Sequence, residues 1–125
     1  MTTQTLTAAS FDQTLLDNDI VLVDFWAAWC GPCRTFGPIF EKASATHPDI
    51  VFGKVDTEAE RSLAGSAGIT SIPTLMAFRG GILVFSQPGA LPSSALEQVI
   101  ASVRALDMDD IRAQVAESQA ANAAT

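Results

Sequence analysis

Val23-Asp24-Phe25-Trp26-Ala27-Ala28-Trp29-Cys30-Gly31-Pro32-Cys33-Arg34 is the stretch on which the reading of this chain turns. Its first half continues an apolar run that starts at Ile20 and is interrupted by a single acid, Asp24. Apolar residues without alternation are the pattern of a central strand covered on both faces. Its second half holds the only two cysteines of the protein, at the start of a segment that reads as a helix over 31–46. Phe36, Ile39, Phe40 and Ala43 are spaced to form that helix's buried face, and Pro32 is tolerated in its first turn.

The placement gives the cysteines chemistry. A thiol at a helix N-terminus faces unpaired backbone N–H groups and the positive end of the helix dipole, and both favour the thiolate. The second cysteine, three positions on, lies on the same helix face within reach of the first. The pair reads as a reversible dithiol–disulfide couple. Three other readings stand beside it. A structural disulfide closing so small a loop would constrain the unfolded chain little. A zinc site would have to be shared between two chains, because His47 is the only histidine. The thiols could also be buried and inert. A Cys-x-x-Cys beside a strand–helix–strand pattern favours the redox reading, and no metal is expected.

Working outward, 125 residues suffice for one domain with a sizeable core, and 48% of them are hydrophobic. A formal net charge of −7 with no basic cluster argues against nucleic acid and acidic membrane surfaces as partners. The stretch Met1-Thr2-Thr3-Gln4-Thr5 is polar and does not read as a secretory signal. Apolar runs fall far short of the ~20 residues of a membrane span. A soluble, cytoplasmic monomer is expected.

Residues 3–6 read as an edge strand and 7–16 as a short helix. A strand over 50–56 follows the cysteine-bearing helix, and the crossover predicts a parallel pair. A helix over 57–65, capped by Asp56 or Thr57, comes next. Residues 72–78 and 82–85 form a hairpin about Arg79-Gly80-Gly81. The closing helix shows a stripe of Leu96, Val99, Ile100 and Val103, with Ser94 and Glu97 spaced as a capping box. In the acidic, alanine-rich tail, Asp107 is placed to cap a helix carrying Met108, Ile111 and Val115 on one face and fraying from about Ser118.

At these residues the chain resembles the thioredoxin family. The run Val23 to Arg34 is similar to the family's signature. The likeness continues through Lys54-Val55-Asp56, Gly68-Ile69, Ile72-Pro73-Thr74, Phe78-Arg79-Gly80-Gly81 and Gly89-Ala90, in order and with compatible spacing. The resemblance implies an α/β fold: a central five-stranded mixed sheet flanked by four helices over 1–104, followed by a tail over 105–125.

It also implies roles. Cys30, the N-terminal and more accessible sulfur, is the expected nucleophile, and Cys33 the resolving thiol. Asp24, its pKa raised by desolvation, is placed to take the proton from Cys33, with Lys54 as its neighbour. Pro73 resembles the family's cis-proline, leaving Ile72 to pair with an extended substrate. Trp29, Gly31, Pro32, Ile72, Pro73, Gly89 and Ala90 would form a flat docking surface, and Trp26 would support the loop from the core. Arg34 adds a positive charge beside the thiols, and His47 reads as a surface turn residue. Ala28 is a departure, because the family often carries a polar or acidic residue there. No bound cofactor is expected, since the chain has no Gly-x-Gly-x-x-Gly of its own. Electrons would come from NADPH through a separate flavoprotein thioredoxin reductase and pass to oxidised substrate proteins. A redox-inactive interaction module and an oxidase or isomerase are the competing functions. The intact cysteines and Asp24 speak against the first, and Gly31-Pro32 against the second.

Overall fold

The structure, a computed structural model, describes residues 2–123. Five strands, β1 (Thr3–Thr5), β2 (Ile20–Trp26), β3 (Val51–Asp56), β4 (Thr74–Arg79) and β5 (Ile82–Pro88), form one mixed sheet. The spatial order is β1-β3-β2-β4-β5. β3 pairs parallel with both β1 and β2, while β4 is antiparallel to β2 and β5. Five helices accompany them: α1 (Phe11–Asp17), α2 (Gly31–Thr46), α3 (Arg61–Ser66), α4 (Ser93–Arg104) and α5 (Met108–Ala123).

Both faces of the sheet are covered, which is why the β2 sequence is apolar throughout. Ile20 and Leu22 face α2 and α4 in a cluster with Phe36, Phe40, Leu96 and Ile100. Val21, Val23 and Phe25 point the other way, toward Phe11 and the α1–α3 side. The period of two therefore sends Asp24 to the same face as Leu22, underneath α2. Phe40 anchors α2 on the sheet, its ring 5.1 Å from that of Phe52. The hairpin turns through Gly80 and Gly81, with φ of 59° and 78°. A two-residue turn with both φ positive matches the strand twist and suits glycine.

Several expectations need correction. α1 begins at Phe11, not near residue 7, because the Ser10 hydroxyl accepts the Thr7 N–H at 3.0 Å and turns the chain first. α3 begins at Arg61, not 57. The Asp56 carboxylate takes the N–H of Glu58 and of Ala59, making a turn in place of a helical start. No capping box forms at α4: its flanking residue is Pro92, without a side-chain cap. Glu97 instead meets His47, with Oε1 and Nε2 2.7 Å apart.

His47 is thus no free turn residue. It stacks near Phe52 and contacts Arg104 Nη2 through Nδ1 at 3.1 Å, while Arg104 grips Asp49 with two bonds. A guanidinium only donates, so Nδ1 accepts and Nε2 carries the proton given to Glu97. α5 is capped by Asp107, as expected, but stays helical past Ser118 to Ala123. Its residues Ile111 and Val115 lie beside Ile82, Leu83 and Val84 of β5.

Gly53 shows how tightly the α1 side is filled. It is buried in the centre of β3, and a Cβ there would land on the Leu6 side chain. Gly53→Ala should lower unfolding free energy by about 1–3 kcal/mol through overpacking. Urea denaturation measures this, and an unchanged midpoint would mean that Leu6 moves aside freely.

Candidate active site

The end of β2 and the start of α2 build the site. Cys30 is the residue flanking α2, in extended conformation (φ −87°, ψ 114°), and Gly31 and Pro32 open the first turn. Cys30 and Cys33 are joined in a disulfide with Cα atoms 5.3 Å apart. The Cys30 Sγ accepts the backbone N–H of Cys33 at 3.2 Å. A sulfur capping a helix in this way meets the partial positive charge of the helix N-terminus.

The expected difference in accessibility is absent here: Cys30 is 4% exposed and Cys33 5%. With the sulfurs bonded to each other, Gly31 and Pro32 form the exposed surface over them. Opposite stands the Ile72–Pro73 peptide, which is cis as the sequence suggested. The Ile72 carbonyl lies 3.7 Å from the Cys30 Sγ, and the Pro73 carbonyl accepts the Gly89 N–H at 2.8 Å. That bond brings the exposed Gly89 and Ala90 to the same loop cluster. Trp29 is no core residue, being 66% exposed.

Beneath α2, Asp24 is fully buried, and neither carboxylate oxygen has a hydrogen-bond partner among the described residues. Lys54 is its cross-strand neighbour in the β2–β3 register, with Nζ 4.0 Å from Oδ2. Burial pushes the Asp24 carboxyl up to about 6, while the Lys54 charge pulls the other way. The Lys54 ammonium also sits over the Trp26 ring, 5.1 Å from its centroid. Trp26 is therefore half-buried cover for the lysine as well as core. Cys33, Arg34, Gly37, Glu41 and Lys54 line one cleft of about 420 Å³. Arg34 does not point at the sulfurs, since its Nη2 donates to the Ala28 carbonyl at 2.9 Å.

Sequence reasoning missed Glu58 and Arg61. The Trp29 indole Nε1–H donates to Glu58 Oε1 at 2.8 Å, and Arg61 Nη2 donates to Glu58 Oε2 at 2.7 Å. A partner 29 residues away leaves no local signal. No metal-binding cluster of three or more His, Cys, Asp or Glu occurs among the described residues.

A disulfide capping a helix, facing a proline loop on a five-stranded mixed sheet, defines a dithiol–disulfide exchange protein. Comparison with known proteins specifies which. The family model described as Thioredoxin matches residues 2–102. A thioredoxin-named protein of Streptomyces coelicolor is 61% identical over 115 residues, 92% of this chain and 86% of the relative. The thioredoxin of Alicyclobacillus acidocaldarius is 42% identical over 102 residues, covering 81% and 97%. Among solved structures, Plasmodium falciparum thioredoxin superposes with a TM-score of 0.74 at 38% identity, covering 79% of this chain and 97% of that one. Oxidised mitochondrial thioredoxin 3 of Saccharomyces cerevisiae gives 0.74 at 32%, covering 80% and 94%. The chain belongs to the thioredoxin family. It is a protein-disulfide oxidoreductase that reduces disulfides through a Cys-x-x-Cys couple.

The Asp24 environment has a stability signature. Its carboxyl moves from 3.8 to about 6 on folding. Between these values the folded state holds more protons, so stability falls as pH rises from about 4 to 6. Above that window the cost is about 3 kcal/mol. Asp24→Asn should remove it, stabilising the protein at pH 7.5 and changing little at pH 4. Urea titrations at the two pH values measure the difference; an equal effect at both would contradict the assignment.

Proposed function

We propose that Cys30 is the attacking thiolate, Cys33 the resolving thiol and Asp24 the acceptor of the Cys33 proton. The observation that carries this is the Cys30 Sγ capping α2 and receiving the Cys33 N–H. That bond stabilises negative charge on Cys30 selectively. In the reduced protein the Cys30 thiolate attacks one sulfur of a substrate disulfide. A mixed disulfide forms, and the other substrate sulfur leaves as a thiolate that takes a proton from water. Cys33 then gives its proton to the Asp24 carboxylate and attacks the Cys30 Sγ. The mixed disulfide breaks, the Cys30–Cys33 bond forms, and the second substrate thiolate departs. Two electrons have passed to the substrate.

Lys54 shares the cleft with Cys33 and holds the Asp24 pKa from rising further. The substrate lies over Gly31 and Pro32, between Trp29, Ile72, Gly89 and Ala90, with Pro73 shaping the floor. Its backbone pairs with Ile72 in extended form. Family membership supports a reductase and oxidised proteins as partners in general. In our reading the reductase is a flavoprotein fed by NADPH, the protein works as a cytoplasmic monomer without a bound cofactor, and residues 1–104 carry the activity while 105–125 are accessory. Among the described residues no helix is long and apolar enough to cross a membrane.

The decisive experiment is insulin reduction, with NADPH oxidation followed in the presence of a thioredoxin reductase. Turnover is expected, and none with dithiothreitol or any reductase would overturn the function. Cys33→Ser should trap mixed disulfides through Cys30. If Cys30→Ser trapped them and Cys33→Ser did not, the roles would be reversed. The proton step has its own readout: in rapid-mixing experiments, mixed-disulfide resolution should quicken as pH rises through about 6, where Asp24 ionises. Asp24→Asn should lose that inflection and slow resolution on the order of 10²-fold.

A further inference from the structure

A groove of about 500 Å³ lies beside α3, bounded by Trp29 and Ile72 on one side and by Glu58, Arg61, Ala64 and Ile69 on the other, and the Ile72 carbonyl is 3.7 Å from the Cys30 Sγ. Trp29 forms its near wall while two-thirds exposed. An exposed ring of this kind is not held by packing, so its direction depends on its one polar atom. That atom, Nε1–H, donates to a carboxylate, and bonds to a charged acceptor are roughly twice as strong as neutral ones. The carboxylate is itself held twice. Its second oxygen accepts from Arg61 three residues on, and the Glu58 backbone N–H is fastened to Asp56 Oδ1 at 2.9 Å. Asp56 ends β3 and is paired with Trp26 at the end of β2, from which the loop to Trp29 departs. The chain Asp56–Glu58–Trp29 therefore closes a loop back onto the central strands, with Arg61 bracing it from outside.

We propose that Glu58 and Arg61 are positioning residues that hold the Trp29 ring as a fixed wall of the substrate groove, and so favour protein disulfides whose flanking chain fills it. The inference rests on the proposed use of Trp29 as a docking surface. A ring already fixed need not be ordered when the substrate arrives, and the gain appears in substrate affinity more than in the sulfur chemistry. A small disulfide reaches the sulfurs without occupying the groove, so it does not draw on the brace.

The test compares insulin with hydroxyethyl disulfide, using dithiothreitol as the electron donor. In Glu58→Ala the KM for insulin should rise roughly three- to tenfold relative to the small disulfide, with kcat changing less. Glu58→Gln keeps an acceptor for the indole but releases Arg61, and should fall between Glu58→Ala and the parent. In Trp29→Phe, which has a ring without an N–H, adding Glu58→Ala should have no further effect. Trp29 fluorescence anisotropy, measured with Trp26→Phe as background, should drop in Glu58→Ala. Equal losses on both substrates, a full effect of Glu58→Ala in Trp29→Phe, or unchanged anisotropy would each overturn the brace. A parent protein inactive on both substrates would overturn the function proposed above and this inference with it.

Discussion

Everything at the reactive end depends on β2 being covered on both faces. Once α2 and α4 close one side and α1 and α3 the other, no position from Ile20 to Phe25 faces water. Strand alternation then places residue 24 under α2, whichever side chain it carries. A leucine there would extend the apolar cluster without cost. The chain has an aspartate with no hydrogen-bond partner among the described residues, and its nearest cation is 4.0 Å away. Burying such a group opposes folding. In the proposed mechanism this is a site where stability is given up for a proton acceptor whose charge changes at about pH 6. The same burial that makes Asp24 unfavourable also sets its pKa, so one constraint accounts for both.

α2 joins two unlike ends. At its N-terminus lie the sulfurs, and at its C-terminus His47 meets Glu97, Arg104 and Asp49. Sixteen residues separate them, about 24 Å along the helix. Charges that far apart are screened from one another in salt. The polar network therefore does not act on the sulfurs electrostatically. Much of it is exposed, and exposed ion pairs contribute little stability. Its contribution is geometric: it joins the end of α2 and the following loop to α4. Phe36 and Phe40 provide the anchoring, and the network selects one way of seating the helix end.

The sequence was most legible where burial and period decide the outcome, and least where polar side chains compete for backbone groups. The parallel β2–β3 pair, the hairpin glycines and the helix behind the cysteines follow from periodicity and turn chemistry, whereas the five-stranded mixed sheet and the Asp24–Lys54 pair followed from the family resemblance. α1 and α3 start later than the periodicity predicts because the Ser10 hydroxyl and the Asp56 carboxylate take N–H groups that a helix start would otherwise present. Glu97 matched a capping pattern by spacing, yet its partner lies fifty residues away in sequence. The tail was expected to fray at Ser118, but alanine has the highest helix propensity, and the helix runs on through the alanines to Ala123. In the site, residue identities were legible and their relations only partly so. Equal burial of the two sulfurs follows from the disulfide, which no spacing rule describes. The Glu58 brace joins two elements that only the folded sheet brings together.

Ala28 and Arg34 bear on how the thiol is tuned. Ala28 stands where the family often carries a polar or acidic residue, and Arg34 supplies a cation directly after Cys33. Both changes would favour a thiolate at Cys30. Arg34, however, is exposed and held on the Ala28 carbonyl, so water and salt weaken its effect. The helix start acts at far closer range: the Cys33 N–H is 3.2 Å from the Cys30 Sγ, inside a nearly closed site. A dipole in direct contact with the sulfur outweighs a solvated charge on the rim. In the proposed mechanism the Cys30 thiolate is thus stabilised chiefly by the backbone of α2. At residue 28 the surface carries an uncharged side chain, on a residue whose carbonyl holds Arg34, in a protein with a formal net charge of −7.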